Sequence, residues 1–233
     1  MTSGASTERV RITVERMALA LSCDADLLIT HRALSITIKN PITGNSFSSL
    51  LRTPPHGVNF SLVSGISILS WSAVKESWDI EKIRVELSRL EALPKYPRVV
   101  VLLMVSIAGA SFCRIFGGNW VEMLSTFVAT FIGLFALQEA RTFRFNGYLC
   151  VLFASASASI ISGIVYSLGL SDTMEHCFAA SVLFLIPGVP LINALTDMID
   201  GNILNGIVRG VHAFLIIFMV AIGLMLAMLL YRI

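Results

Sequence analysis

FLIPGVPLINALTDMIDGN, Phe184–Asn202, is an apolar run broken by two prolines and a glycine. It lies within Val99–Ile233, which is almost continuously apolar. A bilayer tolerates non-helical backbone only where protein buries it or where it lines a wet cavity. A membrane helix interrupted at Pro187-Gly188-Val189-Pro190 is therefore a candidate substrate or ion site. If the helix enters near Met174, Pro187 lies about 20 Å along it at about 1.5 Å per residue, near mid-membrane. The amide end of the break, around Val189–Ile192, suits a carboxylate. Asn193 and Asp197, four apart, share a helix face, and Asp200 follows three later. Asp197 repels a dicarboxylate but suits proton coupling. The alternative is that Asp197 and Asp200 sit at the cytoplasmic interface and only cap and solvate.

A spanning helix needs about 20 mostly apolar residues. Five segments qualify: about Val99–Phe116, Trp120–Leu137, Tyr148–Leu168, Met174–Ile199 with the break inside it, and Ile203–Leu230. Gly117-Gly118-Asn119 forms the first hairpin turn and Glu139–Asn146 the second connection. Lys95, Arg98, Arg141, Arg144 and Arg209 fall on one side if the N-terminus is cytoplasmic. The connection Ser171–Glu175 carries no basic residue, as expected outside, and Arg232 is a mild objection. The third segment carries Ala154–Ser159, Ser162 and Gly163, small residues that let helices approach closely and also suit a polar wall of a transport path. Arg114 is a second candidate, either snorkelling to the headgroups or facing inward towards Glu122 or an anionic substrate. Glu139 and Arg209 fall at the cytoplasmic boundary, where solvation accounts for them.

The chain is 55% hydrophobic and 14% charged, against about 25% charged in an ordinary soluble domain. No lysine follows Lys95, which separates a mixed N-terminal part from an apolar remainder. The expected domains are a cytoplasmic α+β domain over 1–96 and a membrane domain over 97–233. In the first, Ser6 or Thr7 caps a helix with Val10, Val14, Met17, Ala18 and Leu21 on one stripe. Ala25–His31, Ala33–Asn40 and Ser46–Arg52 read as strands, and Pro54-Pro55-His56-Gly57 ends the third. Asn59 and Asp79 cap two further helices.

Residues 1–20 lack the apolar core of a signal peptide. The net charge of +2 is too small to indicate nucleic acid. The four cysteines and four histidines show no metal-ligand or disulfide spacing, so no cofactor or metal is expected. His31 and His56 read as surface or turn residues. No catalytic constellation and no nucleotide-binding P-loop is present, which argues against an enzyme.

YPRVVVLLMVSIAGASFCRIFGG (Tyr96–Gly118) and AASVLFLIPGVPLINALTDMIDGNILNGIVR (Ala179–Arg209) resemble the threonine/serine exporter family, in its split form. GASTERV and PPHGVN fit the same pattern, so the resemblance covers nearly the whole chain. It implies an inner-membrane secondary exporter of succinate-type dicarboxylates or of threonine/serine. It further implies that a second small membrane subunit, of the YjjB type, supplies the remaining helices; assembly into a higher oligomer stays open. Carried over residue by residue, the family's functional positions are Pro187, Gly188, Pro190, Asn193 and Asp197. A membrane-embedded enzyme and a non-transporting accessory or scaffold subunit are the competing classes.

Overall fold

The computed structural model describes residues 3–30, 33–52, 57–94, 96–169 and 174–231. His31, Pro54-Pro55-His56, Lys95, Ser171–Thr173 and Arg232 lie outside the described residues. Ser6 caps α1 (Thr7–Ala20), its hydroxyl accepting the Arg9 N–H. An antiparallel meander follows, β1 (Asp24–Ile29), β2 (Ala33–Lys39) and β3 (Ser46–Arg52), in the order β1-β2-β3. Leu27 opposes Ile36, Ile29 opposes Leu34 and Ile38 opposes Phe47, so alternation collects these apolar residues on one face, with Leu28 and Leu50 on the other. Asn59 caps α2 (Phe60–Lys75) and Asp79 caps α3 (Ile80–Glu91), each accepting the N–H three residues on. Leu69, Ala73 and Ile83 form the core there, packed by Met17, Trp78, Leu87 and Leu90.

The apolar part begins with α4 (Arg98–Ile115) and α5 (Trp120–Thr142). Between them Gly117 takes φ +101°, a left-handed conformation that favours glycine. Asn119 and Glu122 then form a reciprocal capping box. α5 continues five residues past the expected end at Leu137. Gln138, Glu139, Ala140 and Arg141 are good helix formers, and Arg98 at the start of α4 holds both Gln138 and Glu139. α6 spans Gly147–Ser167. α7 (Met174–Val182) tightens into a 3₁₀ turn at Leu183–Leu185, and the helical path is interrupted at Ile186-Pro187. α8 (Gly188–Ile199) then begins, with Pro190 in its first turn, where a missing N–H costs nothing. Gly201, at φ +84°, turns the chain into α9 (Ile203–Tyr231).

Among the described residues, four helices, α4, α5, α6 and α9, are long and apolar enough to cross a membrane, and five spans result if α7 and α8 form one broken span. The chain is a polytopic helical membrane protein with a small α+β portion. It folds into two compact units, one of residues 1–94 and 188–212, the other of 95–187 and 213–233. Residues 188–212, expected from hydropathy within the membrane domain, thus pack with the first 94, where their polar face finds its partners. The second unit is built on Leu102, Leu134, Leu137, Val151, Ala154, Ala158, Val182 and Val220.

Candidate substrate and ion pathway

The polar residues after the break converge on the N-terminal segment. Asp197 is fully buried. Its Oδ1 accepts the Thr7 N–H at 2.8 Å and its Oδ2 accepts the Thr7 hydroxyl at 3.0 Å. Because Thr7 opens α1, the carboxylate also sits at the positive end of that helix. Arg209 lies 3.2 Å from Oδ2, and its other Nη donates to the Ala5 carbonyl. Asn193 donates to the Gly4 carbonyl at 2.8 Å, one turn before Asp197 on the shared face. Asn205 donates to the Ile29 carbonyl at 2.9 Å and Arg11 to Asn202 Oδ1.

These contacts depend on close packing of α8 against α9. A Cβ at Gly206 would lie 2.7 Å from the Ala194 carbonyl oxygen, and one at Gly210 would meet Ala194 and Met198. Gly206 and Gly210 are four apart, the small-residue spacing that lets two helices approach. Arg209 is therefore not a solvated boundary residue. It is buried, and it balances the charge of Asp197.

The other expected site residues do not join this cluster. Asp200 is exposed on the α8–α9 turn, beside an open cleft of about 270 Å³ bordered by Ser6, Glu8, Arg9 and Trp71. Pro187 is buried and ends the first segment of its unit, while Gly188 begins the second segment of the other, in open space where a Cβ would meet nothing within 4 Å. Arg114 is exposed at the end of α4 and donates to the Gly118 carbonyl at 3.1 Å. Among the described residues no group of three or more His, Cys, Asp or Glu is placed to hold a metal.

The membrane helices carry a second constellation, to which the sequence points only at Glu122 and on α6. Glu122, Ser125, Thr126, Ala129, Thr130 and Gly133 are all buried on one face of α5. Hydroxyls in membrane helices ordinarily bond back to their own helix. Ser106 does so to Leu102, Ser162 to Ala158 and Ser157 to Phe153. The buried hydroxyls of Thr130 and Ser159 have no protein partner, and those of Ser125 and Thr126 have only the Cys177 sulfur beside them. Thr130 Oγ1 points across to α4, where a Cβ at Gly109 would lie 2.6 Å from it.

On α6, by contrast, the small residues are largely packing. Ser155 donates to the Val220 carbonyl of α9 at 2.7 Å, and Gly133 and Gly223 each face α6 too closely for a side chain. At the first turn of α5, Glu122 Oε2 accepts the Asn119 N–H at 2.8 Å and lies 3.6 Å from His176 Nδ1. Periodic Ser and Thr at i, i+3 and i+4 within an apolar helix was the available signal for this seam.

Comparison with known proteins agrees with a transport role. Residues 1–231 match the family model described as "Putative threonine/serine exporter". The chain is 30% identical to "Probable succinate transporter subunit YjjP" of Klebsiella aerogenes, over 97% of this chain and 87% of that protein. It is 29% identical to the protein of the same description from Escherichia coli (strain K12), over 97% and 88%. No solved structure matches it.

Proposed function

Because the chain belongs to the threonine/serine exporter family, we propose that it is one subunit of a bacterial inner-membrane secondary exporter of small organic acids or amino acids. A second small membrane subunit, of the YjjB type, completes the transporter. The substrate is a succinate-type dicarboxylate or threonine/serine. The relatives' description as transporter subunits supports the need for a partner. In this reading the N-terminus is cytoplasmic, in keeping with exposed Arg98, Arg141 and Arg144 at one end of the α4–α5 and α5–α6 pairs.

The observation that carries the proposal is the hydroxyl seam on α5. Leaving a polar group buried and unbonded costs about 1–3 kcal/mol, so Thr130 and Ser159, with Ser125 and Thr126 held only by the Cys177 sulfur, point to a polar occupant. The interrupted segment belongs to the same proposal. Pro187, Gly188 and Pro190 open α8, whose first amides lack helical partners, and Asn193, Asp197 and Asp200 follow them. Within the second unit, Arg114 supplies a cation at the end of α4.

The runner-up is an accessory or scaffold subunit, with the substrate site in the partner. One observation favours it: both carboxylate oxygens of Asp197 are already bonded within the chain. Efflux of labelled succinate and threonine from vesicles separates the two readings, comparing this subunit, the partner and both together. Efflux requiring both subunits, and lost in Thr130→Val without loss of the complex, supports a path here. Efflux by the partner alone refutes the proposal.

A further inference from the structure

The exporter reading leaves open where an ion enters the transport cycle, and the second unit contains a carboxylate well suited to that task. Glu122 is buried at 2% side-chain exposure within a helix apolar enough to cross a membrane. Ionisable residues in such segments are costly and mark ion pathways or proton relays. Its neighbour His176, 3.6 Å away on α7, keeps 28% of its side chain exposed, so the pair spans from buried to accessible. The ring of His176 lies over the Gly117-Gly118 turn, where a Cβ at Gly117 would be 3.7 Å from its Cε1. Directly along α5 from Glu122 come Ser125, Thr126 and Thr130, the hydroxyls without good partners. Thr130 is about 12 Å further along the axis at about 1.5 Å per residue.

Resting on the exporter reading, we propose that Glu122 and His176 form the proton-binding site through which this subunit couples substrate efflux to proton entry. With the N-terminus inside, the Gly117–Asn119 turn lies at the outer face, where protons enter down their gradient. The proton is taken up on the Glu122 carboxylate, which neutralises the charge above the seam, and is released inward as the substrate leaves. Of the other titratable or charged groups, Cys177 from α7 and Cys113 from α4 lie beside Glu122, and Arg114 sits at the same Gly117–Asn119 turn. Cys177 donates to the Glu122 carbonyl, Arg114 is bonded to Gly118, and the Cys113 sulfur is at the same turn.

Glu122→Gln tests the idea without removing the cap, because glutamine also serves at the third position of a capping box. The full chain and its YjjB-type partner are reconstituted in vesicles loaded with labelled succinate or threonine. Wild-type efflux is expected to rise at least about fivefold under an imposed outside-acid gradient, a factor worth about 1 kcal/mol of coupling. In Glu122→Gln that acceleration is lost, while exchange of labelled for unlabelled substrate at equal pH is reduced but still measurable. His176→Gln keeps the carboxylate but removes its neighbour, and is expected to weaken the gradient-driven acceleration without abolishing it.

Acceleration that survives in Glu122→Gln overturns the assignment. So does parallel loss of exchange and net efflux in a protein that assembles normally, because the residue would then contact substrate. Wild-type efflux indifferent to the gradient overturns this inference and leaves the exporter intact. Absence of all wild-type transport removes the exporter reading itself.

Discussion

Asp197→Asn keeps the shape of the side chain and removes its charge. The remaining oxygen can still accept the Thr7 N–H, and the new amide can donate to Thr7 Oγ1. What is lost is the counter-charge of Arg209, whose side chain is 8% exposed. Breaking a buried pair by removing one partner costs about 3–5 kcal/mol, because the other charge is left uncompensated. The retained Thr7 contacts and the Ala5 carbonyl on Arg209 put the expectation at the lower end, about 3 kcal/mol. For a chain of this size each kcal/mol moves the midpoint by about 2–4 °C, so thermal unfolding in detergent should fall by about 6–12 °C. Arg209→Met on top of Asp197→Asn removes the orphaned charge. The double variant should be more stable than the sum of the singles by about 0.5–3 kcal/mol, the range for residues in contact. Strict additivity, or a single variant that melts like wild type, would refute the reasoning. Efflux adds a second readout. If Asp197 acts by holding residues 4–7, the double variant regains transport along with stability. If the carboxylate itself moves ions, the double variant is stable and silent.

Gly206→Val should destabilise by about 1–3 kcal/mol or more, because even a Cβ there meets the Ala194 carbonyl and Met198, and loosened packing should expose residues 4–11 to limited proteolysis. Gly188→Ala should fold as well as wild type or slightly better, since its Cβ meets nothing within 4 Å and alanine favours a helix; a lower melting midpoint would contradict the described break. Thr130→Val removes a buried hydroxyl that has no partner, so stability should hold or rise by up to about 1–3 kcal/mol while efflux falls, and unaltered efflux would exclude Thr130 from the path.

Much of the fold was legible because its signals are local. Asn59 and Asp79 as caps, the three strands and the interruption at Pro187 all follow from side chains acting on their own backbone, within a few residues of themselves. The end of α5 was less legible. Hydropathy ends at Leu137, but backbone hydrogen bonding does not, and Arg98, forty residues away, secures the extra turn. Asp197 stands out as an unusual residue, yet its partners were hidden, since Thr7 is 190 positions distant and nothing local links the two. Arg209 was misjudged for the same reason, although Gly206 and Gly210 already marked that face of α9 as the packed one. The seam on α5 was hidden because serine and threonine at helical spacing usually bond to their own helix, and only the three-dimensional arrangement shows which hydroxyls do not.

The two buried polar clusters differ in a way that bears on mechanism. Around Asp197, charge meets charge, and the donors of Asn193, Asn205 and Arg209 reach carbonyls of the N-terminal segment and β1. With the buried side-chain N–H group of Asn202 as its unpartnered member, this network still rigidifies what it joins, and at Asp197 a solute could enter only by displacing contacts already made. Around Thr130 and Ser159 the balance is reversed, with hydroxyls held in a packed interior and given nothing to bond. A seam of that kind costs stability unless something polar visits it. Transport needs such a place: a solute must find partners there that are available, and lose them again without the protein having to break its own. Within the proposed exporter, this contrast favours a structural part for Asp197, a solute path along the hydroxyls of α5, and charge control by Glu122 at the head of that seam.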